Sequence, residues 1–164
     1  SKQYTEQAAL QLGTEYDINA VGLRYFNVFG PRQDPDGEYA AVVPKFIDLM
    51  LDGERPIIFG DGEQSRDFVF VDDVVKANLT VAESGCSGEV FNIARGSRTT
   101  INELIDELDG ILGTDIQPVY DEPRPGDIRH SEADISKART AIGYEPVVEF
   151  DEGLERTVDW VETS

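Results

Sequence analysis

Ile57-Ile58-Phe59-Gly60-Asp61-Gly62-Glu63-Gln64-Ser65-Arg66-Asp67-Phe68-Val69-Phe70-Val71-Asp72-Asp73 packs a strand, a turn, a second strand and the start of a helix into one short stretch. Ile57 to Phe59 is too short an apolar run for a helix, and Gly60-Asp61-Gly62 is turn chemistry. Phe68 to Val71 supplies the second strand. Asp72 or Asp73 then offers a side-chain oxygen to cap a helix reaching about Ser84. Strand followed directly by helix, repeated along a chain, is the signature of an α/β fold.

The same alternation continues in both directions. Upstream, Tyr4, Ala8, Leu12 and Tyr16 recur every four residues, which predicts a helix over 2–16 with an apolar stripe facing a core. A strand over 20–26 runs into Gly30-Pro31, residues 34–37 form a loop, and Val43, Phe46, Ile47, Met50 and Leu51 mark a helix over 40–52 ending near Gly53. Downstream, Val90 to Ile93 reads as a strand. Thr100 with Glu103 forms a capping box, Ile101, Leu104, Ile105, Leu108 and Leu112 fill one helix face, and Gly113 sits at the stop. A strand at Pro118 to Tyr120, a loop at Glu122 to Arg129, a helix at Ile135 to Ile142 and a last helix carrying Leu154, Val158 and Val161 complete the chain. No glycine-rich strand-to-helix turn of the dinucleotide type occurs, since Gly85, Gly88 and Gly96 lack that spacing.

Composition narrows the function. The chain has 164 residues, 40% of them hydrophobic, enough for one ordinary core. It carries 33 acidic against 14 basic residues, a formal charge of −19, and only four lysines. Nucleic acid is a poor partner for such a field. With apolar periodicity this clear, an acidic, lysine-poor surface reads as adaptation to molar KCl. Cys86 has no second cysteine to pair with and His130 is the sole histidine, so disulfide, zinc and Ser/His/Asp chemistry are not expected. No apolar run approaches the ~20 residues of a membrane span and no leader precedes the first helix, so a soluble, cytoplasmic protein is expected, with no membrane partner.

On so acidic a chain, arginines beside glycines and short strands stand out as anion ligands. Arg24, Arg66, Arg124 and Arg129 meet that description, and a guanidinium fork matches phosphate oxygens in a way an ammonium does not. Arg66 sits at a strand end, where α/β folds place ligands, with a salt bridge to Asp61, Glu63 or Asp67 as the structural alternative. Arg124-Pro125-Gly126-Asp127-Ile128-Arg129-His130-Ser131 sets two more arginines in a Pro-Gly loop; internal ion pairing within a surface loop is the alternative there.

Leu23-Arg24-Tyr25-Phe26-Asn27-Val28-Phe29-Gly30-Pro31-Arg32, Phe59 to Gly62 followed by Arg66 to Asp73, and Arg124 to Ser131 occur in the order and spacing that resemble the extended short-chain dehydrogenase/reductase family, specifically its NAD-dependent sugar-nucleotide epimerases and dehydratases. The resemblance runs from Ser1 to about Trp160. It implies that residues 1–30 end a dinucleotide-binding (Rossmann) domain and 31–164 form a sugar-nucleotide domain, the C-terminal part of such an enzyme. Ser1-Lys2 resembles the end of the family's Tyr-x-x-x-Lys motif, making Lys2 the catalytic lysine that favours a tyrosine phenolate and holds the nicotinamide ribose, with the tyrosine upstream of Ser1.

By the same resemblance Phe26 meets the nicotinamide side of NAD and Asn27 donates to the substrate diphosphate. Arg66 and Arg124 clamp the phosphates, Asp127 takes a ribose hydroxyl or orients Arg124, and Ile57, Ile58 and Phe59 line a uracil pocket. Val43 is a candidate for the sugar-side wall. Ser131, small where relatives with strict hexose preference are bulky, hints at N-acetylated sugars. The implied activity is NAD-dependent inversion at C4 of a UDP-hexose, in a homodimer joined through the first helix. A 4,6-dehydratase, a UDP-glucuronate decarboxylase and a non-catalytic nucleotide-binding fragment are the alternatives.

Overall fold

The structure is a computed structural model that describes residues 2–35 and 41–163. In chain order its elements are α1 (Lys2–Tyr16), β1 (Val21–Tyr25), β2 (Asn27–Phe29), α2 (Val42–Leu51), β3 (Ile57–Phe59), β4 (Ser65–Arg66), β5 (Phe68–Phe70), α3 (Val71–Ser84), β6 (Glu89–Ile93), β7 (Thr99–Thr100), α4 (Ile101–Leu112), β8 (Val119–Asp121), α5 (Ser136–Ile142) and α6 (Phe150–Thr163). The expected α/β alternation is present. Residue 40 of the expected second helix, and residues 36–37 of the loop expected over 34–37, lie outside the described residues.

Strands meet in pairs: β1 with β6, β2 with β5 and β3 with β8 run parallel, and β4 with β7 antiparallel. The strand expected over 20–26 is in fact two. The Phe26 N–H donates to the Ile93 carbonyl at 3.1 Å, and the next amide, that of Asn27, donates to the Asp67 carbonyl at 3.1 Å. The chain thus changes partners between those two residues, which carries Asn27 to the start of β5, against Asp67.

Two apolar clusters hold these pairs. One joins α2, α4 and α6 through Val43, Phe46, Leu104, Leu108 and Leu154 around the rings of Phe29, Phe68, Phe70 and Phe150. The other packs α3 and α5 on β6 through Ala77, Phe91, Ile93 and Ala138, with Val21, Leu23 and Phe26 against its rim. Helix α4 shows why its sequence folds so cleanly: Thr100 accepts from the Glu103 amide at 3.1 Å while Glu103 accepts from the Thr100 amide at 2.7 Å, and Gly113 closes the helix at φ +64°.

Two expectations fail. Neither Asp72 nor Asp73 caps α3, whose N-cap position is Phe70, in extended backbone with no side-chain cap bond. Asp73 is instead buried, accepting from the Val147 and Val148 amides at 2.9 and 3.2 Å, and Asp72 pairs with Arg156. Nor does the stripe of α1 face a core: Tyr4, Leu12 and Tyr16 are 77%, 50% and 65% exposed. What holds α1 to β1 is its other side, where Gly13 nests against Ala20 and Glu6 receives both a 2.7 Å Nε and a 2.7 Å Nη2 bond from Arg24.

Candidate functional site

A parallel strand ends with its last residues aimed past the sheet, and short turns there bring distant side chains together. The turn Gly60-Asp61-Gly62 follows β3 and is braced by α4, because Asn102 donates its amide to the Gly62 carbonyl and its side chain to the Asp61 carbonyl, both at 3.1 Å. Gly62 has φ +79°, and a Cβ there would stand 1.9 Å from Asn102 Oδ1, so glycine is required twice over. Opposite this turn the segment after β8 returns and zips onto β4. Ser65 donates to the Arg129 carbonyl at 2.8 Å, the Ser131 amide donates to the Ser65 carbonyl at 3.0 Å, and Ser65 Oγ meets His130 Nδ1 at 2.9 Å.

Four arginines were candidate anion ligands, and the structure sorts them. Arg24 is occupied by Glu6, away from the loops. Arg129 forks onto Asp61 at 2.7 and 2.9 Å, and that guanidinium holds the Asp61 carboxyl below the usual carboxylate range. Arg66, expected to pair with Asp61, Glu63 or Asp67 if it paired at all, instead reaches Asp127 at 2.5 Å and the Ile128 carbonyl at 2.6 Å. Arg124 differs from all three. Its guanidinium lies over the Phe59 ring, 3.8 Å from the centroid, and no carboxylate among the described residues pairs with it. Asp127, at the far corner of the Arg124-Pro125-Gly126-Asp127 turn, therefore orients Arg66 and not Arg124, correcting the second of its two expected roles.

Burial separates the remaining candidates. Ile57 is 48% exposed and Phe59 half-buried, but Ile58, on the opposite face of the same strand, is 1% exposed and belongs to the core. Val43 is fully buried. Neither Ile58 nor Val43 can touch a ligand here, so both serve as backing where a pocket wall was expected. Asn27 is half-buried at the start of β2 with its side-chain amide on the Asp67 carbonyl at 3.2 Å. Phe26 is half-buried beside it, Lys2 is exposed in the first turn of α1, and Ser131 is half-buried where the loop leaves β4. An open cleft of about 710 Å³ adjoins the loop, lined by Gly60, Asp61, Tyr120, Asp121, Glu122, Pro123 and Arg129.

The residue that sequence reasoning missed is Asp67. It is wholly buried, and its carboxylate accepts from the amides of Arg95, Gly96 and Ala133 at 2.9, 3.1 and 3.1 Å. Burial pushes its carboxyl above the ordinary value, and the three amide donors pull it back. Its only signal in the sequence is an acid between a cationic residue and an apolar strand, which alone does not distinguish it from a surface acid.

These features define an α/β chain whose strand-end turns gather arginines around an aromatic ring. The profile of the NAD dependent epimerase/dehydratase family matches residues 1–94, and the chain belongs to that family. It is 45% identical over 149 residues to the putative UDP-glucose 4-epimerase of Methanocaldococcus jannaschii, covering 91% of this chain and 48% of that protein. It superposes on the UDP-glucose 4-epimerase of Thermotoga maritima, solved with UDP-glucose, at a TM-score of 0.94 and 49% identity, over 99% of this chain and 52% of the other. A UDP-N-acetylglucosamine 4-epimerase from Methanobrevibacter ruminantium, in complex with UDP-N-acetylmuramic acid, gives a TM-score of 0.94 at 47% identity, over 99% and 52%. The chain thus spans about half the length of the relatives it matches. Relatives named dTDP-glucose 4,6-dehydratase and UDP-N-acetyl-alpha-D-glucosaminuronate decarboxylase also match. Among the described residues no helix is long and apolar enough to cross a membrane.

Proposed function

We propose that this chain is the sugar-nucleotide-binding part of an NAD-dependent UDP-hexose 4-epimerase, with residues 1–30 closing the dinucleotide-binding domain and 31–164 holding the substrate. The observation that carries the proposal is Arg124 stacked on Phe59 with no carboxylate partner among the described residues, in a loop whose Arg129 already pairs with Asp61 and which holds Arg66 through Asp127. A guanidinium held on a ring and not on a carboxylate, on a chain of charge −19, is poised for an anion. Arg124 and Arg66 would take the diphosphate, Asn27 would donate to it, and Phe59 and Ile57 would flank the base. Asp127 would exchange its bond to Arg66 for a ribose hydroxyl.

NAD, when bound, supplies reversible hydride acceptance at the sugar C4. Lys2 and Phe26 suit the ribose and nicotinamide: one is an exposed ammonium, the other a ring left half accessible at the β1–β2 crossing. Everything else in these residues grips the nucleotide, remote from the reacting carbon, so that a sugar can turn over without escaping. Resemblance to both a UDP-glucose and a UDP-N-acetylglucosamine epimerase supports a site open to N-acetyl sugars, for which the small Ser131 leaves room.

Calorimetry of the chain with UDP in molar KCl tests the binding role. Saturable binding is expected, weakened about tenfold or more, ~1.4 kcal/mol, by Arg124→Ala. A folded chain that takes up no UDP, or an Arg124→Ala variant that binds it equally well, sinks the assignment. In the full-length enzyme Ser131→Tyr should abolish turnover of the N-acetyl sugar and spare UDP-glucose; equal loss of both would remove Ser131 from the selectivity argument.

A further inference from the structure

Two carboxylates are buried among the described residues, and they are used alike. Asp73, 1% exposed, accepts from the Val147 and Val148 amides and fixes the chain entering α6. Asp67, 0% exposed, does more. Its Oδ1 takes the Arg95 amide at 2.9 Å, and its Oδ2 takes those of Gly96 and Ala133, both at 3.1 Å. Its carbonyl accepts the backbone and side-chain amides of Asn27 at 3.1 and 3.2 Å. Arg66 is its chain neighbour, and Ala133 follows Ser131 by two residues.

We propose that Asp67 is a positioning residue of the sugar-nucleotide site, its carboxylate holding the C-terminal anchor of the Arg124–Ser131 loop against the strand ends that carry Arg66 and Asn27. The proposal rests on the binding role argued above. Among the described residues the loop's other ties to the body are at β4, through Ser65 and the Arg66 side chain, through the exposed Arg129–Asp61 pair and through Arg124 over the Phe59 ring. The three amides need acceptors only. A carboxylate offers two oxygens and no donor, whereas asparagine would set an NH₂ against an amide N–H and lose at least one of the three bonds. Neutrality of the side chain is therefore no advantage here, although desolvation favours it.

Asp67→Asn and Asp73→Asn, made in this chain, separate positioning from plain stability. Both should lower the melting temperature, since each strands buried amides. Asp67→Asn should also speed hydrogen exchange at the Ala133 amide and across residues 124–131, and weaken UDP by about tenfold or more, while Asp73→Asn leaves UDP affinity within about twofold. A folded Asp67→Asn chain with wild-type affinity and wild-type loop exchange overturns the proposal, as does an equal loss of affinity in Asp73→Asn. If the wild-type chain takes no UDP, the binding role falls, and exchange at Ala133 and the loop still decides whether Asp67 holds them. Should Asp67→Asn not fold, wild-type exchange decides: UDP should slow the Ala133 amide about tenfold and leave those of Val147 and Val148 unchanged, and no slowing at Ala133 overturns it.

Discussion

Helices α1 and α4 are similar on paper and opposite in the fold. Each carries apolar residues at helical spacing over a dozen or more residues. In α4 they disappear into the core, with Leu104 and Leu108 at 0% exposure, and the helix is closed at both ends by side-chain and glycine caps. In α1 only Gly13 is buried, and Tyr4, Leu12 and Tyr16 look outward. Periodicity says that a face is apolar; what covers it is decided by the rest of the chain. The outer face of α4 is acidic, with Glu103, Asp106 and Glu107 exposed, so the two helices present solvent with contrary surfaces.

The largest effect expected from that contrast is on stability. Leu104→Ala should cost about 2–5 kcal/mol by cavity formation, whereas Leu12→Ala should stay within ~0.5 kcal/mol, both read by denaturant unfolding in molar KCl. Comparable losses would mean that α1 is covered after all.

Salt should sharpen the difference next. Moving from ~0.1 M to molar KCl screens repulsion on a −19 chain and should raise the melting temperature by about 4–8 °C, roughly 2 kcal/mol at this size. The same salt strengthens apolar association, so a homodimer through α1 should become more populated in sedimentation, and Leu12→Ser with Tyr16→Ser should return it to monomer. Equal stability at both salt concentrations would sink the halophilic reading, and association untouched by those substitutions would place the dimer contact elsewhere.

The smallest effect lies at the start of α4. Thr100→Ala should cost about 1 kcal/mol at neutral pH. Glu103 is held below its ordinary pKa by its bonds to the Thr100 amide and hydroxyl, so its contribution is complete above the unfolded value of about 4.3 and is lost as pH falls through the lower folded value. The Thr100→Ala penalty should therefore shrink in acid; a penalty constant from pH 7 to 3 would separate Thr100 from the carboxylate.

Local chemistry explains which parts of this were legible in sequence. The capping box, the Gly113 stop and the strand-turn-strand of 57–71 depend on residues within a few positions of one another, and each was readable. Arg66 was not, because its three nearest acids in sequence are Asp61, Glu63 and Asp67 while its actual partner, Asp127, lies 61 residues away. In sequence Asp67 is a neighbour of a cation and Asp73 a candidate helix cap, since burial of a carboxylate leaves no mark on its flanking residues. The apolar run Ile57-Ile58-Phe59 marks a strand without saying which residue faces the core; the packing of Ile58 into the cluster beneath α2, α4 and α6 decides that. The loop over 122–129 is legible from its proline and glycine, and its ion pairs are not.

Gly62 gives these relations a reading in mutational tolerance. Every single-base change that alters a glycine codon to another residue adds a Cβ, and at this position any Cβ collides with Asn102 and demands a left-handed backbone as well. In a saturation scan position 62 should tolerate substitution far less than Gly113 does. Gly113, equally left-handed but with nothing within 4 Å, should accept asparagine. Shortening Asn102, the residue that braces the turn from α4, would relieve the collision and leave the left-handed backbone demand in place, so compensation at residue 62 is only ever partial.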